Sequence, residues 1–378
     1  MKKLEQLLSH LIAIPSVNPA LTKPSDPAAG EERIGQFVAD FARKAGMDVE
    51  SFPVEPRRFN IVARLQPSGP LRQRVILAPH LDTVGVGEGE EHLFRPRRQA
   101  NRIYGRGACD TKGSVASMLM AATELARTGQ RPASTEIVFL GLVDEEYQQA
   151  GSRAVAKGNL KADLAIVGEP TGLKVVTAHK GVLWLRLKTH GKAAHGARPE
   201  LGRNAVHAMA KVVDRLETEY AASLRLRRHP VLGRPTINVG AIQGGRQPNI
   251  VPDECWISID RRTLPGENDR KVTAEIKEFL AEAGLRVTVE RAQDGVCAAM
   301  STEPSLPLVE QLLKVARQKQ PAGVDYFSDA SVLAGGGIPS VLLGPGDIAQ
   351  AHRPDEWIDL GQLERAFALL TCFLKSLP

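Results

Sequence analysis

Short apolar runs alternate with amphipathic stretches from the N-terminus to about residue 175, and this alternation narrows the possible folds more than any other feature of the chain. The runs are "NIVARL", "RVILAP", "EIVFLGLV" and "DLAIVG"; the helix-like stretches are Leu4 to Ile14, Glu31 to Ala45 and Ser114 to Arg127. Strands divided in this way by helices call for an α/β fold, a mostly parallel sheet with helices on both faces. The first helix must stop before Pro15, whose ring disfavours helical geometry at the residue ahead of it.

Near Thr177 the pattern changes. "VLWLRLKTHG", "TINVGAIQGG" and "CWISIDRRT" are longer and alternate apolar with polar residues, as strands with one wet face do. Two long helical stretches, "NAVHAMAKVVDRLETEYAA" and "DRKVTAEIKEFLAEAG", lie between and after them. Beyond "LRVTVERA" the first style returns, with a helix from Pro307 to Gln318, the run "GIPSVLLGPGD" and a closing helix from Leu363 to Leu374. A chain of 378 residues is too long for one core, and the pattern divides it into an α/β domain (1–177 and 293–378) interrupted by a smaller α+β domain (178–292).

The sequence pI near 9.2 raises the question of nucleic acid, and "FRPRRQANR" and "LRLRRHP" are locally basic. A net charge of only +6, aromatic residues at 4% and no aromatic interleaving in the basic runs argue against that partner. The N-terminus is broken by Glu5, Gln6, Ser9 and His10 and reads as an amphipathic helix, not a signal peptide. No stretch is apolar for long enough to span a membrane, so no membrane partner is expected. Cys109, Cys255, Cys297 and Cys372 are far apart, which fits a reducing cytoplasm better than a disulfide framework or a thiolate metal site.

In open α/β sheets ligands bind where the strands end. "VILAP" is followed by His80 and Asp82, "IVFLGLV" by Asp144, Glu145 and Glu146, "LAIV" by Gly168 and Glu169, and "SVLLGPG" by a loop that reaches His352. Asp110 sits in the glycine-rich turn "YGRGACDTKGS" ahead of a helix. Singly, each is an ordinary structural or solvated residue; an acid after a strand often only starts a helix. Together, two imidazoles and several carboxylates in one crevice carry too much negative charge for a neutral pocket, and a pair of divalent metals bridged by one carboxylate is the economical neutraliser. Mixed nitrogen and oxygen donors suit zinc, with cobalt or manganese as alternative occupants. Asp82 is close enough in sequence to orient the His80 ring, and Cys109 reads as a packing residue. The glycine-rich turn lacks the spacings of a nucleotide-phosphate loop.

"APHLDTV", "GRGACDTKG", "VDEE", "GEPT" and "AHRPDE" resemble, in order and spacing, the motifs of the M20 metallopeptidase and deacylase family, and the resemblance spans nearly the whole chain. It implies a zinc-peptidase-like catalytic domain and an inserted lid and dimerisation domain, hence a homodimer. It implies His80, Asp110 and Glu169 as ligands of one metal and Asp110, Glu146 and His352 as ligands of the other, with Glu145 as general base. A cis peptide between Asp110 and Thr111 is also implied, and Asp144 is left to cap the following helix.

In the inserted domain "GKAAHGARPELGRNAV" resembles the family segment whose histidine, here His195, acts at the partner subunit's site. "QPNIVPD" and "DRRTLPG" supply Asn249 and Arg262 as substrate contacts, Arg262 for the α-carboxylate unless it pairs with Asp260 or Glu267. The implied partner is a small N-acyl amino acid or short peptide. "SVLLGPGDIAQAHRPDEW" and "VGEPTGLKVVTAHKG" are most similar to the deacylases acting on N2-acetyl-L-ornithine, with desuccinylase, aminoacylase and dipeptidase or carboxypeptidase activities as alternatives, and a non-catalytic metal-bound binding protein as one of another class. Ser328, Asp329 and Ala330, in "YFSDASVLAGGG", are expected to read the substrate side chain, Asp329 by attracting a cationic tail.

Overall fold

The computed structural model describes residues 2–23, 25–292 and 295–378. It divides into two compact units, Met1–Thr177 with Thr302–Ala322 and Ser328–Pro378, and Ala178–Ser301 with Gly323–Phe327. The return point expected at residue 293 falls on Gln293, outside the described residues. The chain re-enters the first unit at Thr302, because the stretch before it is still tied to the second: Cys297 bridges Val182, and Met300 pairs with His179.

The sheet of the first unit contains β1 (Asp48–Glu55), β2 (Arg58–Leu65), β3 (Gln73–Pro79), β4 (Thr135–Gly141), β5 (Leu164–Gly168), β6 (Val176–His179, of which Ala178 and His179 fall in the second unit) and β7 (Ser340–Leu342), in the spatial order β1-β2-β4-β3-β5-β7-β6. The central strands β4, β3, β5 and β7 are parallel; β1 with β2, β2 with β4, and β6 with β7 are antiparallel. β1 was not legible as a strand. It is an edge, half exposed along its length, and Pro53 interrupts its pattern where the register to β2 shifts.

The helices are α1 (Lys2–Ala13), α2 (Glu32–Lys44), α3 (Lys112–Thr128), α4 (Ala150–Lys157), α5 (Pro307–Val315), α6 (Asp329–Gly335) and α7 (Leu360–Lys375). Because successive strand residues point to opposite faces, the central strands need cover on both. Val75, Leu77, Ile137, Phe139, Leu164 and Ile166 pack into one buried cluster with Leu8, Val38, Leu119, Leu312 and Leu370 of α1, α2, α3, α5 and α7. The alternate residues Ile76, Val138, Ala165 and Val167 are equally buried, and α6 lies against β5, β7 and α4.

The second unit has a four-stranded antiparallel sheet in the order Thr236–Gly244, Glu254–Thr263, Gly181–His190, Thr288–Arg291. Leu183, Leu185 and Leu187 point into its core with Ile257, Ile259, Val212, Ile276 and Leu280, while Trp184 and Arg186 between them are exposed. The alternation seen in the sequence is thus a sheet with helices on one face only.

Gly168 ends β5 and packs against α3 and Pro79. A β-carbon there would lie 2.7 Å from the Cβ of Ser114 and 2.9 Å from that of Pro79, closer than carbon atoms pack. Gly168→Ala is expected to cost about 1–3 kcal/mol, the usual range for overpacking a filled core. Urea unfolding measures it, and an unchanged midpoint would show that α3 can retreat without loss.

Candidate metal centre

The parallel register brings the polar residues together. Pro79 of β3 lies opposite Gly168 of β5, so the next residues, His80 and Glu169, leave the sheet side by side. His80 in turn bridges Leu142, the start of the loop carrying Glu145 and Glu146.

Ligand atoms of His80, Asp110 and Glu169 lie within 4.8 Å of one another, and so do those of Asp110, Glu146 and His352. Asp110 belongs to both groups and offers a different oxygen to each histidine: Oδ1 is 3.1 Å from His80 Nε2 and Oδ2 is 3.5 Å from His352 Nε2. His352 Nε2 is also 3.0 Å from Glu146 Oε2. His80 and Glu169 are buried, whereas the His352 side chain is 54% exposed, so the second group is open to solvent.

Two observations test whether these residues fit a pair of divalent cations. Oε1 of Glu146 and Oε1 of Glu169 are buried with no hydrogen-bond partner, an expensive condition that a cation relieves. The donors are all imidazole nitrogen or carboxylate oxygen, the set that divalent ions such as zinc accept in catalytic sites. The residues fit.

The electrostatics point the same way. Burial, reinforced by the Asp110 charge, holds the Glu169 carboxyl well above its usual range. Burial and then the charge of Glu169 do the same to Glu145, and burial with Asp110 raises Glu146. Burial pulls the His80 imidazole down, but its bonds to Asp110 and Asp82 outweigh this and raise it well above its ordinary value. The Glu146 hydrogen bond raises His352. Without cations this cluster holds protons instead.

The loops are held from behind. The peptide between Asp110 and Thr111 is cis. The buried carboxylate of Glu356 accepts hydrogen bonds from the backbone N–H groups of Gly107, Cys109 and Asp110 at 2.9, 2.9 and 3.0 Å, and pairs with Arg106 at 2.8 Å. Arg106 also donates to the Arg353 carbonyl, so the loops bearing Asp110 and His352 are tied to each other. Glu356 stands in the motif "AHRPDE", yet nothing local marks it for this role: an acid so far along the chain from a glycine-rich turn has no meaning as its support before folding. Cys109 is buried, and its Sγ donates to the Asp347 carbonyl at 3.3 Å.

Asp82 lies against the His80 ring, with Nδ1 3.0 Å from its backbone carbonyl and 3.5 Å from its carboxylate. The carboxylate has a further task, accepting the backbone N–H groups of Glu145 and Glu146, both at 3.1 Å. Asp144 stands apart from the cluster, pairing with Arg58 at 2.9 Å while its Oδ2 accepts from the N–H groups of Gln148 and Ala150 ahead of α4. Glu31 pairs with the same Arg58, which keeps both buried acids compensated.

Asp329 is 1% exposed and accepts a hydrogen bond from Ser152 through Oδ1, while its Oδ2 has no partner; burial raises its pKa to about 7. Ser328 caps α6 by accepting from the Ala330 N–H.

In the second unit His195 bridges Ile250, and the Gly196 N–H donates to the Asn249 carbonyl at 2.7 Å, so the segments bearing His195 and Asn249 run side by side and are exposed. Arg262 forms a two-point ion pair with Asp260, Nε to Oδ1 at 2.9 Å and a terminal nitrogen to Oδ2 at 3.0 Å. Glu267 is engaged by Arg261 and Arg227 instead.

The model of peptidase family M20/M25/M40 matches residues 76–376. The chain belongs to this family. Among its M20 relatives, acetylornithine deacetylase of Proteus mirabilis is 30% identical over 98% of this chain and 96% of its own, and that of Edwardsiella ictaluri is 31% identical over 97% and 95%. The fold is shared with aminopeptidase PepT of Bacillus cereus (TM-score 0.78, 23% identity, 99% of this chain and 98% of that one). It is shared also with a Bacillus subtilis protein described as a dinuclear metal binding peptidase of the M20 family (TM-score 0.72, 14% identity, 99% and 97%). The protein is an M20 hydrolase, and its clustered imidazole and carboxylate donors support two divalent cations. Among the described residues, no helix is long and apolar enough to cross a membrane.

The raised groups make metal binding visible in stability. Glu145, Glu146, Glu169 and His80 bind protons more tightly in the fold than in the unfolded chain. Their stabilisation of the metal-free fold is complete below the unfolded values and is lost as pH rises through the folded ones. Cations displace those protons, so the gain in Tm on adding zinc to chelator-treated protein is expected to be larger at about pH 7.5 than at about pH 5.5. Groups remote from the centre, such as His179, cancel in this difference. A gain independent of pH would mean that these carboxylates are not the ligands.

Proposed function

We propose that the protein hydrolyses the amide bond of an N-acyl-L-amino acid, in the first place N2-acetyl-L-ornithine, to the free amino acid and a carboxylate. The observation that carries this reading is Asp110 shared by two ligand groups, with Glu145, a further carboxylate kept above its usual pKa, beside them. The acetylornithine deacetylases at 30% and 31% identity over nearly the full chain support the substrate.

His80 and Glu169 with Asp110 hold one cation, and Glu146 and His352 with Asp110 hold the other. Bound there, divalent cations, zinc first and cobalt or manganese as substitutes, supply the Lewis acidity that acidifies water and offsets charge on the carbonyl oxygen. Glu145 takes the proton of the attacking water as the oxygen–carbon bond forms, and returns it to the leaving nitrogen as the carbon–nitrogen bond breaks. Asp82 keeps Glu145 and Glu146 in place through their backbone N–H groups.

Arg262 binds the substrate α-carboxylate, for which it must share or leave Asp260, and Asn249 and His195 hold the acyl carbonyl. A homodimer through the inserted unit, with His195 serving the partner subunit's site, belongs to the same proposal, as do a cytoplasmic setting and a place in arginine biosynthesis.

Glu145→Gln removes the proton acceptor and no ligand. It is expected to keep two zinc ions per chain by elemental analysis while kcat/KM falls about 100- to 10,000-fold, the usual contribution of a general base; loss of a zinc ion would reassign Glu145 as a ligand.

Initial rates of zinc- or cobalt-loaded protein on N-acetyl-L-ornithine, N-acetyl-L-methionine, N-succinyl-diaminopimelate and a dipeptide, each with a chelator control, test the substrate. Chelator-sensitive turnover is expected to be fastest on acetylornithine. Preference for another member keeps the chemistry and moves the substrate, and silence on all of them favours a metal-bound binding protein.

A further inference from the structure

Asn18 lies 64 residues from Asp82 and 126 from Asp144, yet its side chain touches both. It is fully buried. The Asn18 Nδ2 group donates one hydrogen to Asp82 Oδ2 at 2.8 Å and the other to Asp144 Oδ1 at 3.0 Å. Its Oδ1 accepts the Ala20 N–H at 3.1 Å, which fixes which end of the amide faces the acids. The backbone is held too, since the Asn18 N–H donates to the Thr83 carbonyl at 2.9 Å and the Thr83 N–H to the Ser16 carbonyl at 3.0 Å.

These bonds close a ring. Asp82 clamps the N–H groups of Glu145 and Glu146, Asp144 directly precedes them in the chain, and Asn18 joins the two aspartates. Two carboxylates this close repel unless donors stand between them. Arg58 already brings a positive charge to Asp144, so the remaining link needs two donors and no charge, which a primary amide supplies. The ring sets the direction in which adjacent side chains leave the backbone, one toward His352 and one free of it.

We propose that Asn18 is a positioning residue for the hydrolytic reaction, acting through Asp82 and Asp144 to hold Glu145 and Glu146 in their separate roles. This rests on the assignment of Glu145 as base and Glu146 as ligand.

The test compares the full-length wild type with Asn18→Ala, Asn18→Ser and, as a control for lost stability alone, Leu312→Ala in the core beneath α5. Zinc is titrated in competition with a chromophoric chelator, and kcat and KM are measured separately on a substrate the wild type turns over. In Asn18→Ala one of the two zinc affinities is expected to weaken about 10- to 100-fold, as when a ligand loses its outer support. Its kcat is expected to fall about 100-fold, with KM little changed, as for a misplaced catalytic group. Asn18→Ser keeps a single donor and falls between, and it is read in place of the alanine variant if that one does not fold. Leu312→Ala keeps both affinities and kcat. Wild-type affinities and kcat in the Asn18 variants, or an equal loss in Leu312→Ala at matched stability, overturn the proposal. If the wild type hydrolyses nothing, the functional reading fails, while the zinc titration still decides the role of Asn18.

Discussion

Mutual repulsion among the carboxylates around Asp110 is the constraint on which the rest of the catalytic unit depends. Glu145, Glu146 and Glu169 are forced up in pKa chiefly by burial and by each other, and two of their oxygens are left without a partner. A fold does not collect such groups for stability. It does so where bound cations repay the desolvation, and the Bacillus subtilis protein that shares this fold is described as a dinuclear metal binding peptidase.

The surrounding structure holds two of these loops from behind with carboxylates that accept their backbone N–H groups. Glu356 gathers three N–H groups of the Asp110 turn, and Asp82 gathers those of Glu145 and Glu146. Arg58 compensates Glu31 and Asp144. Oε1 of Glu146 and Oε1 of Glu169 are left without a protein partner, while the supporting carboxylates of Glu356 and Asp82 are satisfied by the protein.

The second unit is built on different terms. Its sheet is covered on one face by helices and has its own core of Leu183, Leu185, Leu187 and Ile257. Its candidate substrate contacts sit on exposed segments and on a strand where Arg262 is already paired with Asp260. That pairing is a result of strand geometry, since residues two apart share a face, and it makes Asp260 a competitor for any carboxylate that Arg262 binds.

The sequence by itself determined the secondary-structure succession, the interrupted α/β plan and the residues that cluster around Asp110. Strand ends in a parallel sheet face one way, so His80, Glu146, Glu169 and His352 were legible beyond the apolar runs and Asp110 in its glycine-rich turn, while motif resemblance supplied the division into two ligand sets. The edge strand Asp48–Glu55 escaped notice because half its surface is wet and Pro53 breaks its pattern. The tertiary structure alone decided the supports. Asn18 meets Asp82 across 64 residues, and Glu356 meets Asp110 across 246, so neither pairing has a local spacing to betray it. The structure also added the acid loop to what Asp82 holds, and gave Asp329 a buried bond with Ser152. The physical reason is common to all of these. Periodicity reports which face of an element is buried, but which donor reaches which carboxylate is fixed only when distant segments are packed against each other.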